Sequence, residues 1–233
     1  MIPLKDDNPT SSRPIVTYFI IALCVVIFFI QLSSQSYRTG QLFYSYGLIP
    51  SVLMGHDQMP MDLYAVPAYV TIFSSMFMHG GWIHLIGNMW YMKIFADNIE
   101  DNLGSRNFII FYIFCGIGAA IAQVLVDTHS QIPMVGASGA IGGVLGAYMI
   151  NHPKAKVLVL IPYFIITIIK IRALYVLGFW FILQFINSSA MSSQGGGVAY
   201  AAHIGGFVSG MILILFFNRT TKRKTKVIKG PWS

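Results

Sequence analysis

Charge is scarce in this chain. Of 233 residues only 10% are charged, 55% are hydrophobic, and the mean hydropathy is +0.66. Soluble domains carry about 25% charged residues, so the shortage excludes an ordinary water-soluble domain and points to a membrane protein. No polar stretch is long enough to build a separate soluble domain. Cysteine is nearly absent, and Cys24 and Cys115 both lie inside apolar runs. That argues against a disulfide framework or a thiolate metal centre. Internal repeats and low-complexity tracts are also missing.

What remains is a series of apolar runs. Six spans are expected, at about 15–34, 78–97, 107–126, 138–151, 171–187 and 201–218, which makes the fold class an all-α membrane protein. The first run is longer than the ~7–15 residues of a signal-peptide core, so it is read as an uncleaved span. The second has an alternative earlier start, because Ala68–Met78 is mostly apolar too. The fourth is short: its residues give roughly 20 Å of helix against a hydrocarbon core of ~30 Å. Such a helix must be walled off by neighbours, with water reaching one end. Pro50, Pro60 and Pro67 mark 35–70 as a structured or interfacial loop. The run 157–169 is broken by Pro162 and flanked by Lys154, Lys156, Lys170 and Arg172. An extra span there would strand one basic cluster on the wrong side, so a cytoplasmic interfacial connection is expected. The resulting division is an N-terminal cytoplasmic segment 1–14, a membrane domain 15–218 and a basic cytoplasmic tail 219–233.

Charge sets the orientation. The net charge is +7, much of it in the tail from Arg219 to Lys226. A basic tail suits nucleic acid, but directly after a membrane helix it more often marks the cytoplasmic face. With six spans both termini are cytoplasmic, and the outer loops hold only Arg38 among the fifteen lysines and arginines. This orientation puts His79, His84, Ser138 and His203 towards the outer leaflet, at comparable depth in three separate segments.

Those residues are the ones able to do chemistry. Gly136-Ala137-Ser138-Gly139 opens the fourth span, and Ala202-His203-Ile204-Gly205-Gly206 opens the sixth. A serine in a membrane helix commonly bonds a carbonyl one turn back, and Gly136, Gly139, Gly142, Gly143 and Gly146 suit a bare packing face. The same glycines would let a substrate backbone approach and leave amide N–H groups for an oxyanion. An intramembrane histidine is a functional candidate by default, although a histidine bonded to a carbonyl is the bland alternative. Gly206 and Gly210 form a GxxxG spacing that allows His203's helix to sit close against the fourth. Ser138 and His203 then make a nucleophile and its base. His84 and Asn88 are spaced i, i+4 and share a helix face. They read either as donors to developing negative charge or, for Asn88, as glue between helices. A metal reading of His79 and His84 lacks further ligands at suitable spacing, so no metal is expected. No acid completes a triad; Asp127 is the only one between the third span and Ser138, and it serves equally as a loop residue.

In this order the motifs resemble the rhomboid family of intramembrane serine proteases. His79-x4-His84-x3-Asn88, Glu100-x3-Gly104, Gly136-Ala-Ser138-Gly139 and Ala202-His203-x2-Gly206-x3-Gly210 occur together. The resemblance implies Ser138 as nucleophile, His203 as general base, His84 and Asn88 as oxyanion-stabilising positions, and His79 as a structural histidine above them. It implies a six-helix core around a water-filled cavity open to the outside, no cofactor, and the minimal form found in bacterial inner membranes. Two family features are replaced: Thr71 stands at the place of a first-loop arginine, and Gly142 at a place often aromatic. Inactive relatives generally lack the serine or histidine, and this chain has both.

The expected activity is therefore a serine endopeptidase cutting transmembrane proteins within or beside their spans, with the lipid bilayer as its medium and no nucleic acid as partner. A noncatalytic binder of membrane proteins would use the same cavity but not need Ser138. A transporter or channel would spread ionisable groups through the membrane's depth, whereas here they gather near one face.

Overall fold

A computed structural model describes residues 1–38, 40–162, 166–191 and 198–222. Six long helices carry most of it: α1 (Ile15–Ser33), α2 (Trp82–Leu103), α3 (Ser105–Val126), α4 (Ser138–Asn151), α5 (Ala173–Met191) and α6 (Tyr200–Lys222). Ile15–Ser33, Ser105–Val126 and Tyr200–Asn218 are each long and apolar enough to cross a membrane. Their outward faces are apolar, with Phe19 63% and Leu125 73% exposed. So much uncovered hydrocarbon suits lipid and not water, and the chain is a multi-pass membrane protein. The basic tail beyond Lys222 lies outside the described residues.

The second helix differs from its expected bounds at both ends. It starts at Trp82, because Gly80 and Gly81 separate it from the short helical turns that cover Ala68–Phe77. It also runs past residue 97 to Leu103, keeping Asp97, Asn98, Glu100, Asp101 and Asn102 helical. Their polarity is tolerated because it has partners. Glu100 is 1% exposed and accepts the N–H groups of Val16 (3.0 Å) and Thr17 (2.8 Å), and the hydroxyls of Thr17 (2.8 Å) and Ser105 (2.6 Å). One carboxylate thus supplies acceptors to the first turn of α1, whose N–H groups have none within the helix. Gly104, at φ 75°, makes the sharp link into α3 that a side chain would strain.

Helix α4 lies at the centre, against α2, α3, α5 and α6. Every residue from Gly139 to Tyr148 is buried. Its 14 residues rise about 21 Å, so neighbours and not lipid surround it. Contact with α6 is backbone to backbone. A Cβ added to Gly206 would overlap the Gly139 carbonyl oxygen, and one added to Gly210 would overlap that of Gly143. The GxxxG spacing of α6 therefore marks a real close approach.

A three-stranded antiparallel sheet corrects the all-α expectation. Its order is β1 (Ile2–Asp6), β2 (Lys156–Pro162), β3 (Ile166–Arg172). The described residues of the run 157–169 thus lie in two paired strands, with Val157 opposite Ile171 and Val159 opposite Ile169. Its β-branched residues alternate between two faces at period two, and Val157 and Val159 are fully buried against the bundle. Pro162 sits at the end of its strand, where it breaks little of the ladder. The N-terminal segment is drawn into this sheet, pairing Ile2 with Leu160. A register shift between Pro3 and Lys5 turns Asp6 to the same face as Val157, and Asp6 accepts a hydrogen bond from the Tyr148 hydroxyl (2.5 Å). Burial moves the Asp6 carboxyl up from its usual pKa, against the opposing effect of Tyr148. Sequence polarity alone does not show this pairing, because β1 is a short strand whose partner lies far along the chain.

The α4–α6 contact predicts a paired result. Gly206→Ala should lower the apparent melting temperature by about 4–8 °C, as overpacking of roughly 2 kcal/mol would do. Gly178→Ala, in α5, meets nothing within 4 Å and should leave it unchanged or slightly raised. Thermal unfolding of both variants in the same detergent checks this.

Candidate active site

A cavity of about 910 Å³ lies between α2, α4, α5 and α6, and its walls include His84, Asn88, Ser138, Trp180 and His203. Ser138 is the first residue of α4, and His203 lies in the first turn of α6. The glycine contact sets the spacing of the two helices and brings Ser138 Oγ to 2.7 Å from His203 Nε2. Two residues far apart in sequence thus meet directly. His203 is 8% exposed, so most of its imidazole is packed into the cavity wall.

The other nitrogen of His203 is occupied as well. Nδ1 lies 2.7 Å from Oε1 of Gln184, a residue of α5 that is 8% exposed. The Gln184 amide is itself oriented, because its Nε2 donates to the carbonyl oxygen of Trp180 at 3.1 Å. Turning that amide over would set two carbonyl oxygens against each other. Gln184 therefore presents oxygen to His203, Nδ1 carries the hydrogen, and Nε2 offers its lone pair to the Ser138 hydroxyl. Gln184 is not among the residues the sequence singles out; its one signal is an uncharged polar residue in the apolar stretch 173–186, which also fits interhelical glue. Trp180 was missed too. Its ring lies 5.7 Å from that of His203 at 34°, and its Cη2 would sit 3.7 Å from a Cβ placed on Gly142. An aromatic ring from α5 thus lies beside the histidine, next to Gly142.

Across the cavity, His84 and Asn88 share a wall of α2. Gly80 donates its N–H to His84 Nδ1 at 3.3 Å, which leaves the ring hydrogen on Nε2. That nitrogen faces Gly136, where a Cβ would come within 2.6 Å of it. Gly136 also has φ 125° and donates its N–H to Ser75 O at 2.8 Å, so glycine is required there twice over. Asn88 is 8% exposed and its Nδ2 is buried without a partner in this structure. Helix α4 has no side-chain cap, so the N–H groups of its first turn have no partner from a capping side chain.

His79 is fully buried, edge-on to His84 with ring centroids 5.2 Å apart. Its backbone is clipped to α1 by Gln31, which accepts its N–H (3.1 Å) and donates to its carbonyl oxygen (3.2 Å). Gly139 faces Ala119 of α3, where a Cβ would come within 2.6 Å of the alanine's. Thr71 is buried and bonds the Ala68 carbonyl oxygen at 2.5 Å, turning its polarity back onto its own helical turn. Asp127 accepts the N–H of His129 (3.0 Å) in its loop, and Gln184 occupies the nitrogen of His203 that an acid would have taken. Among the described residues no three His, Cys, Asp or Glu side chains gather as a metal-binding group.

Comparison with known proteins gives the same direction. The Rhomboid domain family model matches residues 66–220. Rhomboid protease GluP of Bacillus subtilis is 30% identical over 203 residues, covering 86% of this chain and 34% of that protein. Rhomboid protein 1, mitochondrial, of Saccharomyces cerevisiae is 27% identical over 168 residues, covering 68% of this chain and 45% of its own length. RHOMBOID-like protein 5 of Arabidopsis thaliana is 32% identical over 78 residues, 34% of this chain and 25% of that protein. The chain thus spans between a quarter and about half of these relatives. The matched residues run from the first-loop turns through α6 and contain every side chain of the cavity named above, so this chain belongs to the rhomboid family of intramembrane proteases.

Proposed function

We propose that this chain is a serine endopeptidase with a Ser138–His203 dyad, cutting membrane proteins within or next to their transmembrane segments. The observation that carries the reading is the hydrogen-bond chain from Gln184 through His203 to Ser138, which orients a base lone pair at a hydroxyl. Ser138 Oγ attacks the scissile carbonyl carbon while His203 Nε2 takes its proton, and the carbonyl electrons move onto oxygen. His84 Nε2–H, Asn88 Nδ2–H and backbone N–H groups at the start of α4 stabilise that oxyanion. The intermediate collapses, the C–N bond breaks, and the imidazolium returns its proton to the leaving nitrogen. Water then gives its proton to His203 and attacks the acyl-serine, and proton return frees Ser138. None of these steps needs a cofactor.

The same reading gives the six long helices as six spans, with 15–218 as the membrane domain and 1–14 and 219–233 at the cytoplasmic face. The distribution of lysine and arginine supports this orientation, and a bacterial inner membrane is the proposed location. The cavity then opens towards the outside. A helical segment hides its carbonyls in its own hydrogen bonds, so substrates should unwind near the cut, aided by glycine or other weak helix formers.

Cleavage of a transmembrane substrate in proteoliposomes tests the dyad. Ser138→Ala and His203→Ala should each abolish it while the protein stays folded, and the double variant should be little worse than either. Substantial activity in Ser138→Ala would point to a different nucleophile. Activity should also persist in strong chelator and fall as acid protonates His203, because an imidazolium cannot accept the serine proton. Complete inhibition by chelator, reversed by metal, would contradict this.

The oxyanion role has its own measurement. Asn88→Ala should lose about 10²–10³ in kcat, and His84→Ala a similar amount, with melting temperatures held. If Asn88 is only interhelical glue, activity will fall in step with folded protein. Measuring kcat and melting temperature on the same samples separates the two.

A further inference from the structure

We infer that Gln184 is a positioning residue of the active site, acting through His203 as the third member of a serine–histidine–glutamine relay. The inference rests on the dyad reading and adds to it a group on a third helix. Its support is geometric. Gln184 Oε1 stands 2.7 Å from His203 Nδ1, on the side of the ring away from Ser138, and His203 Nε2 stands 2.7 Å from Ser138 Oγ. The glutamine is not free to choose its orientation, since its Nε2 donates to the Trp180 carbonyl oxygen one turn earlier in α5. Gln184 and His203 are each only 8% exposed, so water has little access to exchange with these bonds.

The arrangement does two things for the base. It selects the tautomer with hydrogen on Nδ1, leaving the Nε2 lone pair aimed at the hydroxyl. It also holds the ring in place as His203 takes the serine proton: the bond from Nδ1–H to Oε1 then becomes charge-assisted and strengthens. A carboxylate would stabilise the imidazolium more strongly. It would also bury a full negative charge in an apolar wall between resting turnovers, at a cost an uncharged amide avoids. The amide therefore gives orientation without a permanent charge. Trp180 serves the same end twice, through its carbonyl oxygen to Gln184 and through its ring beside His203.

Three variants test the inference in proteoliposomes, each with kcat, KM, melting temperature and the pH dependence of kcat/KM. Gln184→Leu removes the acceptor and should lower kcat by roughly tenfold to a hundredfold, part of the ~10²–10⁴ that a positioned base contributes. KM and melting temperature should change little. Gln184→Glu restores an acceptor at the same reach. It should recover much of the lost kcat and move the acidic limb of the profile to higher pH, because a nearby carboxylate favours the protonated imidazole. Gln184→Asn, one methylene shorter, should fall between glutamine and leucine. A Gln184→Leu enzyme with unchanged kcat overturns the proposal. So does a loss that tracks melting temperature, with Gln184→Glu no better than leucine and the acidic limb unmoved. Neither result would disturb the dyad, whose failure would show independently as activity surviving Ser138→Ala.

Discussion

The contact between the α4 and α6 backbones is the constraint on which the rest depends. Gly206 and Gly210 lie against the carbonyls of Gly139 and Gly143, with no room for a side chain on α6 at either place. Axes that close leave Ser138 and His203, one turn or less from the starts of their helices, within hydrogen-bonding distance. The approach needs small residues on both helices, which explains the glycine richness of a helix that is otherwise the most buried in the bundle. Dispersion between backbones replaces the side-chain interdigitation of an ordinary core. The geometry of the site is thus a consequence of packing, set before any substrate arrives.

Around that contact, three buried polar side chains tie separate segments of the chain together. Glu100 supplies acceptors to the start of α1, Gln31 clips the backbone of His79, and Gln184 holds His203. Each ties its own helix to another segment of the bundle, where an unpaired group would be expensive. The Asn88 amide nitrogen is buried with no partner, as are Ser51 Oγ, both ring nitrogens of His79 and the Tyr112 hydroxyl. Of these residues Asn88 lines the cavity with Ser138 and His203, which is where the proposed oxyanion role needs a donor.

Much of this could be read from the sequence, and the reasons are specific. Scarce charge and long apolar runs announced the helices, because hydrocarbon leaves few alternatives for the backbone. The glycines beside Ser138 and His203 announced the close approach, since their spacing already fits a small-residue helix face. The lengthening of α2 to Leu103 was not readable: its polar end looks like a loop until Glu100 meets the turn of α1. The sheet was hidden because β1 pairs with a strand more than 150 residues away. Gln184 was hidden for a related reason. An amide in an apolar stretch says nothing about which neighbour it will face.

The central claim is that helix packing turns Ser138 into a nucleophile paired with His203. Labelling the folded protein in lipid with a fluorophosphonate, and locating the adduct by peptide mass spectrometry, tests it most directly. The account predicts one adduct, on Ser138, formed by the unaltered chain and lost in His203→Ala. An adduct on another serine, or labelling of Ser138 that persists undiminished without His203, would contradict it.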